Sequence, residues 1–156
     1  MQENKNKKMR LVVDANAWIS SLITPGFRVR LDIVFEAAYH LMVCEEFFTD
    51  LANAIRKPRV EKRINRKTYD TLVSLLRNDA ELVDVHSVVD VCRDPKDNFL
   101  LALAKDGNAD YLPCQIFRAG DKDLRVMEKF GKTEIVTLSE FEAMASERSR
   151  KTAPGR

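Results

Sequence analysis

The chain opens its ordered pattern with a short apolar run, Met9 to Val13, that ends at Asp14. Leu11, Val12 and Val13 do not alternate with polar residues, which predicts a strand buried on both faces. Ala15 to Leu22 predicts a short helix stopped at Thr24-Pro25-Gly26. Leu31, Val34, Phe35 and Ala38 repeat on one helical face and predict a helix from Arg28 to Tyr39. His40 to Val43 reads as a second strand. Phe47, Phe48, Leu51, Ala54 and Ile55 form the stripe of a helix from Glu45 to Arg56, which Pro58 ends. Within residues 59–80 a further helix centres on Tyr69, Leu72, Val73 and Leu76. Leu82 to Val85 is extended. Asp94-Pro95 opens a helix running to about Lys105, and Ala109 to Leu112 is a strand. Asp123 to Phe130 is a helix closed by Gly131. Glu134 to Leu138 is a last strand, after which Ser139-Glu140-Phe141-Glu142 has the form of a capping box that opens a final helix.

Short apolar strands alternating with helices predict an α/β fold, with a mostly parallel sheet and helices on both faces. Sites in such folds lie at the carboxyl ends of the strands. The 156 residues suit one domain, drawn at residues 9–146. Residues 1–8 and 147–156 read as flexible basic ends: residues 1–10 and 147–156 each carry +3, and the body carries −4. No apolar stretch reaches the roughly 20 residues of a membrane span. None at the start has the form of a signal peptide either, so a cytoplasmic location is expected. Cys44, Cys92 and Cys114 are too widely spaced for a zinc knuckle or redox motif and read as free thiols. His40 and His86 are isolated and read as structural.

Carboxylates occupy the junctions that this topology makes chemically useful. Asp14 follows the first strand directly, where a charge is costly unless it is paired or bound. Asp97 lies in the first turn of the helix that Pro95 opens. Asp121 and Asp123 follow the Ala109 strand. In the helix from Glu45, Asp50 lies roughly 100° from the centre of the apolar stripe, Glu45 about 120° and Glu46 about 140°. Asp50 is thus nearest the buried edge. Gathered carboxylates repel one another and raise each other's pKa, and a hard divalent cation relieves that repulsion with oxygen ligands. A histidine-poor, aspartate-rich site therefore points to phosphodiester hydrolysis. Capping by itself accounts for Asp94, and for Asp123 before Leu124. Arg56, Lys57 and Arg59 are candidate phosphate contacts, although cations at a helix C-terminus are favourable in any case.

The stretch from Leu11 through Asp14 and Asn16 to Ser20 resembles the opening of PIN domains, especially those of bacterial toxin–antitoxin pairs. Asp50 to Arg59 looks like the family's acidic helix and its basic end. Asp94-Pro-Lys-Asp97-Asn98 looks like the segment of the third acid, and Ala109-Asp-Tyr-Leu with Gly120-Asp121-Lys-Asp123 like that of the fourth. The resemblance covers about Met9 to Ala145. It implies a three-layer α/β/α sandwich and an endoribonuclease that hydrolyses RNA. It implies Asp14, Asp50, Asp97 and Asp121 as catalytic residues, with Mg²⁺ or Mn²⁺ held by Asp14, Asp97 and Asp121. Asn16, Asp94 and Asp123 would support them. A cognate antitoxin and a homodimer are the partners it implies.

Two departures stand out. The family usually has glutamate where this chain has Asp50, a carboxylate one methylene shorter. Residues 113–118 intervene where the family runs almost directly into its last acid, and Ala119 stands where a threonine is common. Pro113 is expected to interrupt strand pairing unless it lies at an edge or a strand end. These departures motivate an alternative, a catalytically impaired PIN-fold module that binds RNA or protein. A phosphatase using Asp14 as nucleophile is weaker, because Asn16 stands where a second aspartate is favoured.

Overall fold

The computed structural model describes residues 8–24, 26, 32–92, 94–114 and 129–152. Its first strand, β1 (Met9–Leu11), leads through Asp14 into helix α1 (Ala15–Ile23). Strand β2 (Tyr39–Val43) is followed by a helical hairpin, α2 (Glu45–Ile55), the single turn α3 (Pro58–Glu61) and α4 (Arg66–Asp79). The short strand β3 (Glu81–Leu82) and an extended segment reach α5 (Pro95–Asp106) and then β4 (Tyr111–Cys114). Strands β5 (Lys129–Phe130) and β6 (Thr133–Thr137) precede the last helix, α6 (Leu138–Thr152), which runs past residue 146.

The six strands form one sheet in the order β3-β2-β1-β4-β6-β5. All neighbours are parallel except β5 and β6. The chain builds outward from β1 to β2 and β3, then returns to the other side of β1 with β4. The strand order therefore reverses between β1 and β4, which is the crevice where open α/β sheets bind ligands.

Register separates the two faces. Met9 lies opposite Tyr39, and Leu11 opposite Leu41 and Tyr111. On that face Phe141 of α6 packs against the rings of Tyr39 and Tyr111, at 5.2 and 6.4 Å between centroids. Arg10, His40 and Met42 point to the other face. There α5 ends on Met42: a Cβ on Gly107 would lie 2.7 Å from the Met42 sulfur, so any larger residue would have to push the end of that side chain aside. The sheet thus has helices on both faces, as the α/β/α expectation requires.

Several elements differ from the sequence pattern. Tyr39 belongs to β2, and the described part of the Arg28–Tyr39 segment is a 3-10 turn, Asp32–Phe35. Ala38 is exposed, while Tyr39 is drawn into the sheet by its contact with Phe141. The strand expected at Ala109–Leu112 begins at Tyr111 and includes Pro113. The capping box sits two residues early. The Glu140 carboxylate accepts from the Thr137 amide at 2.9 Å, and the Thr137 hydroxyl accepts from the Glu140 amide at 2.8 Å.

Lys129 and Phe130 pair as a hairpin strand with Glu134 and Thr133 rather than ending a helix. Gly131, at φ 58°, makes the turn between them. A left-handed glycine serves a two-residue hairpin as well as a helix terminus, so its identity alone did not distinguish the two. The rest of that expected helix, residues 123–128, lies outside the described residues.

Candidate active site

Pro113 explains how the crevice opens. Its carbonyl accepts from the Asp14 amide at 3.4 Å, so that side of the residue faces β1. The N–H that proline lacks would point the same way, towards the backbone that follows Leu11. On the other side β4 keeps its ladder with β6 from Tyr111 to Cys114. Proline therefore spares the β4–β6 pairing and loosens only the β1–β4 seam, where β1 has already ended. It is tolerated inside a central strand because it lies near the end of the one ladder that it interrupts.

Asp14 sits at the mouth of that seam. It is half-buried and is the N-cap of α1, where one carboxylate oxygen accepts from the Asn16 amide at 3.1 Å. Asn16 thus meets Asp14 through its backbone, and its side chain is exposed. The desolvation that makes a carboxylate costly after a buried strand is offset in part by this capping bond.

Helices that connect parallel strands start at the sheet's carboxyl edge. The N-termini of α1, α2 and α5 therefore share the edge on which Asp14 lies. In α2, Asp50 is half-buried whereas Glu45 and Glu46 are exposed, the order expected from helical phase. Glu45 is also engaged elsewhere, in an ion pair with Arg77 of α4 at 3.2 Å. Cys44, fully buried between β2 and α2, reports the local electrostatics. Burial pushes its thiol up to about 11, and the carboxylates of Glu46 and Asp50 push it the same way. A neutral, buried thiol is inert.

In α5 the two acids differ in exposure and in contacts. Asp94 is exposed and caps the helix, accepting from the Lys96 amide at 2.9 Å, with Pro95 at the first helical position. Asp97 is half-buried in the first turn. Asp121 and Asp123 lie outside the described residues. The oxygen-only donor set of Asp14, Asp50 and Asp97 suits a hard cation such as Mg²⁺ or Mn²⁺. Yet among the described residues no three carboxylate, imidazole or thiol groups are close enough together to hold a metal ion. Arg56, Lys57 and Arg59 are exposed at the far end of α2 from Glu45, which is a helix length away from the edge carrying Asp14.

The structural parts played by two positions escaped the sequence pattern. The Asn98 side chain clamps the segment in front of α5: its oxygen accepts from the amides of Val91 and Cys92 at 3.0 and 2.7 Å, and its nitrogen donates to the Cys92 carbonyl at 2.9 Å. This fixes how the chain enters the turn that carries Asp97. An asparagine one turn inside a helix gave the only signal, since its polar side chain there has no helical purpose. At the opposite edge of the sheet, Asp110 ties three strands. It accepts from the Arg10 amide at 2.8 Å, pairs with Lys132 at 3.3 Å, and its carbonyl accepts from the Glu134 amide at 2.9 Å.

A mostly parallel sheet with acidic helix starts at its switch point defines an α/β fold with a candidate site at the carboxyl edge of the sheet. The chain belongs to the PIN domain family, whose model matches residues 10–112. That family gives it a nuclease-type fold, and its members generally are metal-dependent nucleases. An uncharacterized protein of Methanocaldococcus jannaschii is similar to it, 25% identical over 127 residues, covering 80% of this chain and 78% of the relative. No helix among the described residues is long and apolar enough to cross a membrane.

Proposed function

We propose that this protein is a metal-dependent endoribonuclease, with Asp14 at the centre of its site. The observation that supports this most is the placement of Asp14 at the β1–β4 switch point of a PIN domain. Asp50 and Asp97 are the half-buried acids of the two neighbouring helices. Asp14, Asp97 and Asp121 would hold Mg²⁺ or Mn²⁺, and Asp50 would orient the attacking water and take its proton. A bound divalent ion supplies charge for the phosphoryl oxygens and acidity for a water. The described acids do not close a metal site by themselves, so Asp121 is the donor on which completion of the site depends. Asp94 caps α5 and holds the turn of Asp97 in position, Asn16 supports Asp14 through its amide, and Asp123 would be a further supporting acid. The resemblance of the Leu11–Ser20 stretch to toxin PIN domains motivates a toxin role with a cognate antitoxin and a homodimer, and the absence of an apolar span or signal-like start motivates a cytoplasmic location.

The purified protein should cleave RNA with Mn²⁺ or Mg²⁺, and Asp14→Asn should abolish the activity. Equal cleavage by the variant would contradict the assignment. Saturable RNA binding with no cleavage in any metal would favour the catalytically impaired module instead, which the short Asp50 side chain and Ala119 motivate.

A further inference from the structure

Residues 56–67 hold seven cations and one acid, Glu61. The structure folds this run into one end of the molecule. Helices α2 and α4 are antiparallel, as the Glu45–Arg77 ion pair and the stacking of Arg77 on Phe48 at 4.0 Å show. Turn α3 joins their far ends, so the C-terminus of α2 and the N-terminus of α4 present their cations together. All seven are exposed. Among the described residues Arg66 pairs with Asp70 at 3.4 Å, and the other six make no ion pair.

Local physics accounts for only part of this patch. Arg56 follows the last residue of α2, where the helix dipole favours a cation. Arg66 and Lys67 have the opposite placement. They occupy the first turn of α4, which contains no acid, so the dipole disfavours them. Arg59, Lys62 and Arg63 then add like charges three and four residues apart. The Asp70 carboxylate and the Tyr69 ring, 5.4 Å from the Arg66 guanidinium, offset that cost for Arg66. No ion pair among the described residues does so for Lys67, and the remaining excess of positive charge points to an external anion.

We infer that this end of the molecule is a second binding surface, for the phosphodiester backbone of RNA, and that it grips the strand away from the carboxylates. The inference rests on the ribonuclease reading for its choice of RNA. The patch lies about one length of α2, roughly 16 Å, from the sheet edge that carries Asp14. It therefore engages nucleotides beyond the scissile bond and favours long substrates. An anionic membrane is the poorer fit. Surface helices that lie in a membrane carry exposed apolar residues beside their cations, and the exposed large apolar residues described here, Leu75, Leu82, Val88 and Val91, all lie outside residues 56–67.

The test uses the full chain in EDTA, so that binding is read without cleavage. A fluorescent oligoribonucleotide is titrated at several salt concentrations against wild type, the triple variant Lys62→Ala/Arg63→Ala/Lys67→Ala and the control Lys105→Ala. The triple variant should bind about tenfold more weakly or worse, and its slope of log K on log salt should flatten by about 2, near 0.7 per lost phosphate contact. Lys105→Ala should bind as wild type does. The thermal midpoint of the triple variant should not fall, because removal of Lys67 relieves an unfavourable dipole interaction. Unchanged affinity and slope in the triple variant would overturn the inference, as would binding by wild type to phosphatidylserine vesicles but not to RNA. Patch-dependent RNA binding by a protein that cleaves in no metal would sustain the inference and remove the ribonuclease reading.

Discussion

Two sets of helix starts in this protein carry opposite charge, and the contrast shows how to weigh each. At the carboxyl edge of the sheet, Asp14 caps α1, Asp94 caps α5, and Asp97 and Glu45 stand in first turns. Every one of these carboxylates is favoured there by capping or by the helix dipole. At the bend between α2 and α4, Arg66 and Lys67 occupy a first turn where the dipole opposes them. Acidity at the carboxyl edge therefore has a local explanation, and its case for function comes from position: the switch point, half-burial and the family's fold. Basicity at the bend is explained locally only in part, by the helix end at Arg56 and the Arg66–Asp70 pair, and the remaining charge, Lys67 above all, makes the case.

Substitutions that separate capping from chemistry test this contrast hardest. Asp14→Asn should lower Mn²⁺-stimulated RNA cleavage by about a hundredfold or more. Its unfolding midpoint should stay near wild type, because asparagine caps as well as aspartate does. Asp14→Ala should lose the same activity and also about 1 kcal/mol of stability in urea melts. If Asp14→Asn kept its activity, the acid would be a cap and no more.

A somewhat larger stability effect, and a less direct one on chemistry, is expected at Asn98. Asn98→Ala removes one hydrogen bond from each of two amides and a carbonyl, which should cost roughly 1–3 kcal/mol by urea denaturation. It should also reduce cleavage by displacing Asp97. Full activity in a destabilised Asn98→Ala protein would show that the entry to α5 does not position that acid.

At the basic bend the sign reverses. Lys67→Glu should stabilise the fold by about 0.3–1 kcal/mol while weakening RNA binding. A loss of stability would mean that Lys67 is satisfied within the fold, and the contrast between the two helix starts would fail.

The smallest effect concerns acid stability. Hydrogen bonds, first from the Ser87 hydroxyl and then from the Ser87 and His86 amides, hold the Asp106 carboxyl below its ordinary range. His40, 2.7 Å away, and then Arg10 do the same for Glu81. A depressed folded-state pKa contributes stability above the ordinary carboxylate value, and that contribution is lost as pH falls through the depressed one. Asp106→Asn and Glu81→Gln should therefore each make the loss of stability below about pH 4 shallower, as followed by thermal melts across pH. An unchanged acid limb would remove both carboxylates from the pH dependence.

Where burial imposes a simple period, the sequence was readable. The buried run into Asp14, although its strand already ends at Leu11, the strand ending at Val43 and the stripe of Phe47, Phe48, Leu51 and Ile55 fell where the apolar pattern put them. Elements set by partners distant in sequence were harder to place. Tyr39 pairs in a strand because Phe141 covers it. Pro113 lies inside β4 because its missing donor faces a ladder that has already ended. The capping box moved to Thr137 because Thr137 is the last residue of β6, which no local motif marks. At the site, the ranking of Asp50 above Glu45 and Glu46 was legible from helical phase, and the capping role of Asp94 from its neighbour Pro95. How near the acids of separate elements come to one another was not legible, since that depends on how the elements meet at one edge; among the described residues no three of them form a metal-binding group.

The most direct test of the central claim is a calorimetric titration with Mn²⁺. A metal-dependent nuclease built on these carboxylates should bind the ion saturably, and Asp97→Asn, which keeps its place in α5, should bind it far more weakly. No binding by the wild-type protein, or equal binding by the variant, would contradict a metal site at this edge of the sheet.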